Sequence, residues 1–195
     1  MKTLLALTLT ITSLGAIAQV NYKIDPAKTK VEWTGYKIAS EHRGLVPVKE
    51  GSLIVKDGVI QQGTVSMEMN KLSVTDISGT MAEKLRAHLQ HDDFFATDKY
   101  PEAKLAIKSS KKTAKGLDIT GDLTIRGKTH PISFTATDVK ETAKTFFANA
   151  VIKVDRTLYG VEFNSGKNLK DLGKSLGDKL IKDEFDLNVI ISANK

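Results

Sequence analysis

The sequence predicts an all-β fold: one closed, mainly antiparallel barrel of about eight strands, with a short α-helix covering part of it. Three observations carry this. Apolar residues alternate with period two through most of the chain, Asp57-Gly58 stands between two apolar runs as a hairpin signal, and only one stretch switches to helical spacing. There is no βαβ alternation, internal repeat or interdomain linker.

The first 18 residues are set apart before any fold is considered. Lys2 supplies a positive charge, Leu4 to Ile17 an apolar run, and Ala16-Ile17-Ala18 a small-x-small cleavage pattern. Together they predict a signal peptide over 1–18 and a folded domain over 19–195, periplasmic or secreted. The apolar run is too short and too interrupted to predict a stable membrane span.

Strands are predicted in order along the domain. Lys30 to Ile38 carries Val31, Trp33 and Tyr36, with Thr34-Gly35 disturbing its alternation as a bulge would. Leu45 to Val48 reads as a short edge strand around Pro47. Asp57-Gly58 joins Leu53-Ile54-Val55 to Val59-Ile60, and Gly63 to Met69 continues with Val65, Met67 and Met69 on one face. Thr80-x-x-Glu83 then reads as a capping box. Met81, Leu85, His88 and Leu89 follow on one face of a helix ending near His91 to Asp93. After Tyr100-Pro101, period two returns in Ala103–Lys108, Leu117–Ile125, Ile132–Val139, Phe146–Val154 and Phe185–Ile191. Gly166 to Gly177 reads as a loop with one short helix, a flap near the barrel mouth.

Composition narrows the function. The formal net charge is +6 and there is no cysteine, which excludes disulfides, thiol catalysis, thiolate metal sites and lipid attachment at a cysteine. The lysines, as in Lys108-Ser-Ser-Lys111-Lys112, read either as a solvated rim of turns or as a field that draws anionic lipid. No basic stripe interleaved with aromatics points to nucleic acid.

No catalytic constellation appears. GDLTIRGKT, from Gly121 to Thr129, has five residues between its glycines and alternates as a strand, so it is no phosphate loop. His88, His91 and Asp92 could form a metal-assisted hydrolytic site, an alternative to a binding function; i,i+3 histidines at a helix end also occur without metal. His88 reads either as a core histidine satisfied by a carbonyl or as a polar group facing a ligand's head. Arg156 reads either as a surface ion pair with Asp155 or as a bidentate anion ligand, with Tyr159 and Phe163 as an apolar wall. Trp33, Tyr36, Phe94, Phe95, Phe134 and Phe147 suit a packed core and a greasy tunnel equally well.

Four segments together resemble one family: EWTGYKIASEHRG, the LRAHLQHDDFF and KYPEA run, GDLTIRGKTHPI, and VDRTLYGVEF. Their order and spacing resemble the YceI-like polyisoprenoid-binding proteins, from about Tyr22 to Ala193. The resemblance implies a lipocalin-like barrel that sequesters or transports an amphiphilic isoprenoid, of polyprenyl or isoprenoid-quinone type. It implies a binding protein, not an enzyme, with the lipid as cargo and no cofactor. The tail would run along Trp33, Phe134 and Phe147 with Tyr36, Phe94 and Phe95 nearby, and His88, Arg156 and Tyr159 would orient the head. A filled barrel serving as a stress or interaction protein is the remaining alternative, and a homodimer is compatible with the exposed edges.

Overall fold

The computed structural model describes residues 19–168 and 179–195. The segment 1–18 lies outside them, as does most of the predicted flap, of which Gly166–Asn168 forms a 3-10 turn.

Eleven strands occur among the described residues, all paired antiparallel, and they fill eight positions of a closed barrel. In chain order they are β1 (Val20–Ile24), β2 (Lys30–Lys37), β3 (Glu41–Leu45), β4 (Val48–Lys56), β5 (Val59–Glu68) and β6 (Ser73–Val74). Helix α1 (Gly79–Gln90) follows. Then come β7 (Glu102–Thr113), β8 (Gly116–Ile125), β9 (Lys128–Glu141), β10 (Thr145–Asp155) and β11 (Ile181–Asn194). Strands β7 to β11 meander neighbour on neighbour, and β11 closes the ring by pairing its Ile181–Ile190 stretch with β2 and Ala193–Asn194 with β1.

The difference between eleven and eight comes from three split positions. β1 and β2 lie in tandem along β11, β3 and β4 lie in tandem beside them, and β5 and β6 do the same one position on. Prolines mark two of the breaks, because neither Pro26 nor Pro47 has an N–H for the ladder. Leu45 to Val48 is therefore the kink between β3 and β4 and not a strand of its own; Val46 N–H still reaches Val31 O at 3.0 Å. The sequence reading also missed β1, and placed in turns the lysines that actually extend β7 to Thr113.

Asp57 and Gly58, at φ of 55° and 69°, make the predicted two-residue turn between β4 and β5. Gly44 permits a close approach, since a Cβ there would stand 1.7 Å from Ser73 O and 2.7 Å from the Trp33 ring. Along β10, Phe146, Ala148, Ala150, Ile152 and Val154 are buried, and the first four line the interior together with Ile119 and Ala136 among others.

Helix α1 forms where expected but starts differently. Ser78 is its N-cap and makes no side-chain cap bond, so the Thr80/Glu83 capping box is not built; Thr80 already lies inside the first turn. Leu89 is buried and Leu85 half-buried, whereas Met81 is 65% exposed. Only the last two turns of the helix pack on the barrel, which makes it a cover for one end.

Candidate functional site

Two apolar cavities lie end to end inside the barrel, of about 120 Å³ at the α1 end and about 70 Å³ deeper. Val31, Met67, Leu123 and Leu187 line both and form the waist between them. The space at the α1 end is enough for several waters, but its walls are almost entirely carbon. Met67 at the waist is unbranched, and its side chain changes rotamer more readily than a β-branched one would.

The alternation of β11 supplies one wall: Phe185 and Leu187 line the mouth cavity, and Leu187, Val189 and Ile191 the deep one. β9 supplies Ile132, Phe134 and Ala136 to the deep end. At the mouth, Trp33, Phe94, Phe95 and Phe185 form an aromatic collar, and Trp33 Nε1 donates to Ser73 O at 3.1 Å. The ionisable groups gather at this end: Tyr36, Lys37, His42, Arg156 and Lys182; the polar residue lining the deep cavity is Asn149, whose Oδ1 is buried without a partner among the described residues.

The predicted site residues divide clearly. Trp33, Tyr36, Phe94, Phe95 and Arg156 line the mouth cavity, and Phe134 the deep one. Phe147 does not line either; its neighbour Phe146, fully buried, takes the inward position. A Phe-Phe pair on a strand presents one ring to each face, and only the register against β9 and β11 decides which. His88 stands just outside the mouth cavity, edge-on to Phe94 at 5.1 Å and to Phe163 at 4.6 Å. Tyr159 is buried beneath His130, edge-on at 5.2 Å, and does not line the cavity either.

Arg156 is neither a surface residue nor a free anion ligand. It is 3% exposed, and its Nε, Nη1 and Nη2 donate to Lys182 O, Val161 O and Ile181 O at 3.0, 2.7 and 3.0 Å. Burial pulls its pKa down, and the nearby Asp183 carboxylate, 3.7 Å away, opposes that. All three guanidinium nitrogens are thus used to tie the end of β10 to the start of β11. Asp155 is paired elsewhere, accepting from Thr157 N–H at 2.9 Å and from Lys167 at 2.9 Å.

The remaining rim groups are held by neighbours. Tyr36 donates to Asp186 Oδ2 at 2.8 Å; that bond, with burial, raises the phenol's pKa. Burial would raise the Asp186 carboxyl, but Lys153 and Tyr36 hold it below its ordinary value. Burial, with a smaller push from the Asp155 charge, raises the Tyr159 phenol. Asp92 is engaged by Lys99 at 2.6 Å and His91 by Asp93 at 3.2 Å. Among the described residues no group of three or more His, Cys, Asp or Glu is placed to hold a metal ion, so the His88/His91/Asp92 cluster is not assembled.

Sequence reading missed His42, Lys37 and Lys182 as mouth residues. The period-two pattern of β2 carried a signal for Lys37, which follows Val31, Trp33 and Gly35 on the inner row. His42 carried none, because its place follows from the β2–β3 register across the turn, where Lys37 N–H donates to Ser40 O at 2.7 Å.

Comparison with known proteins gives the same architecture. The solved structure of BcnA from Burkholderia cenocepacia superposes with a TM-score of 0.61 at 18% identity, over 87% of this chain and 98% of that one. A polyisoprenoid binding domain from Saccharophagus degradans, implicated in plant cell wall breakdown, superposes with a TM-score of 0.58 at 12% identity, over 89% and 97%. Protein YceI of Escherichia coli is 33% identical over 143 residues, spanning 69% of this chain and 71% of that protein. No described helix is long and apolar enough to cross a membrane. The YceI-like domain itself matches residues 22–193, so nearly every strand of the barrel lies within the match and the chain belongs to the YceI-like family.

Proposed function

We propose that this protein binds an amphiphilic isoprenoid, of polyprenyl or isoprenoid-quinone type, and sequesters or carries it without chemical change. The observation that carries this is the pair of adjoining, mainly carbon-lined cavities with ionisable groups at the mouth end and Asn149 as the polar residue lining the other. An apolar chain placed there loses contact with water along its length, at about 25 cal/mol per Å². A head left at the mouth keeps the rim's hydrogen-bonding groups within reach. The name of the Saccharophagus domain, a polyisoprenoid binder of the same fold, supports the ligand class.

The proposal includes export. Residues 1–18 have the charge, apolar run and cleavage pattern of a signal peptide, and their removal leaves the barrel in the periplasm or outside the cell. In such a compartment an apolar carrier solves a physical problem, because a long isoprenoid has negligible solubility in water.

Native mass spectrometry of the mature protein, purified from its export compartment and followed by organic extraction, tests both parts. A bound mass that extracts as a prenyl lipid or quinone is the expected result, on a chain beginning at Gln19. Protein that is ligand-free and also refuses added isoprenoids overturns the carrier reading. A chain retaining residues 1–18 overturns the export reading.

A further inference from the structure

The mouth cavity has a gap in its wall that the fold does not require. On the inner row Gly35 lies between Phe185 of β11 and His42 of β3, its direct register partners. A Cβ at Gly35 would meet nothing nearer than the Trp33 ring at 3.8 Å, an ordinary contact, and Gly35 is not among the glycines with positive φ. Neither close packing nor backbone conformation calls for glycine here. Its effect is to leave open space beside the imidazole.

That imidazole is fixed. His42 Nδ1 is 2.8 Å from Asp76 Oδ2, while Asp76 Oδ1 accepts from Arg43 N–H at 2.9 Å. Burial would raise the Asp76 carboxyl, but the bonds from Arg43 and His42 hold it below its ordinary value. A carboxylate accepts only, so the proton of this bond is assigned to Nδ1. In the neutral ring Nε2 then offers a lone pair, with no partner among the described residues. Lys37 and Lys182 line the same cavity, and Lys182 Nζ stands 5.1 Å from the Tyr36 ring centroid. Neither lysine has an ion-pair partner among the described residues.

We propose that the Gly35 gap and the His42–Asp76 pair form a head-group notch that recognises a hydroxyl, as carried by an isoprenoid alcohol or a quinol. This rests on the carrier reading above. A hydroxyl gives its proton to Nε2 and takes a lysine N–H on its own lone pairs, so both partners are satisfied at once. A ketone oxygen has no proton to give and leaves Nε2 unpaired. One such bond distinguishes ligands by about tenfold in affinity.

The test uses the mature chain at one fixed, mildly alkaline pH throughout. Trp33 is the single tryptophan and lines the cavity, so its fluorescence reports binding. The probes are geranylgeraniol, its methyl ether, geranylgeranyl phosphate, and a short-tailed prenyl quinol with its quinone. Expected is about tenfold tighter binding of alcohol over ether, and of quinol over quinone. The relative affinity of alcohol and quinol then identifies the source of the hydroxyl. His42→Phe should erase both preferences, and Gly35→Val, read by native mass spectrometry, should weaken the alcohol more than the ether. Equal binding of alcohol and ether, or a preference that survives in His42→Phe, overturns the notch while leaving the carrier reading intact. So does phosphate outbinding the alcohol with an advantage lost only in a Lys37→Ala/Lys182→Ala double variant. If no probe binds, the carrier reading falls and the notch with it.

Discussion

Replacing Arg156 by methionine separates a structural clamp from a ligand contact. The guanidinium is 3% exposed and donates to three backbone carbonyls, that of Val161 after β10 and those of Ile181 and Lys182 at the start of β11. Hydrogen bonds to charged groups are each worth roughly 1.5–3 kcal/mol. The bonds to Ile181 O and Lys182 O are only partly buried, so water would recover part of their loss. Val161 O lies in the buried bond and would be left without its donor. The expected cost of Arg156→Met is therefore about 3–5 kcal/mol, a size usual for breaking a buried charged contact. For a domain of this length that corresponds to roughly 6–20 °C in melting temperature. Arg156→Lys should recover only part of it, since one ammonium cannot reach three carbonyls arranged for a planar fork. Urea and thermal unfolding of the mature protein measure both variants. If Arg156→Met unfolds within about 1 kcal/mol of the parent and yet loses isoprenoid binding, Arg156 serves the ligand and the clamp argument is wrong.

The two adjacent phenylalanines of β10 should behave oppositely. Phe146→Ala removes a ring with no exposure and should cost about 3–5 kcal/mol in chemical denaturation, whereas Phe147→Ala should cost about 1 kcal/mol or less. Phe134→Ala should weaken isoprenoid binding measured by Trp33 fluorescence by roughly tenfold, with Lys111→Ala unchanged, because only Phe134 lines the deep cavity. Glu102 is predicted to govern part of the acid sensitivity. Hydrogen bonds from Lys49, Lys104 and Ser66 lower its pKa from 4.5 to about 2. A carboxyl depressed in the fold contributes stability above its unfolded pKa and loses it as the pH falls. Between about pH 5 and pH 2 the parent should therefore lose more stability than Glu102→Gln; parallel curves would show that the pairing does not survive in solution.

Much of this protein is legible in its sequence, and for identifiable reasons. Period-two alternation is a local property, so β8 to β11 could be read with their inner rows, down to Phe185, Leu187, Val189 and Ile191. The Asp57-Gly58 turn was readable because two consecutive positive φ values select few residues. Strand β1 was not, since VNYKI is only five residues long and is pinned by pairing with β4 and β11. The capping box failed because the same four-residue pattern fits a helix starting at Gly79 with Thr80 inside it.

The candidate site divides along the same line. Chemistry local to one strand placed Trp33 and Phe134 on cavity walls, and the barrel closure set those walls in two adjacent cavities that share a waist. Which ring of Phe146-Phe147 faces inward, what Arg156 holds, and that His42 meets Gly35 and Asp76 were decided only by the tertiary structure. These depend on register between strands and on contacts up to 34 residues apart in the chain. Side-chain identity determines what a group can do, whereas the neighbour that uses up its hydrogen bonds, or leaves one nitrogen free, is supplied by the fold.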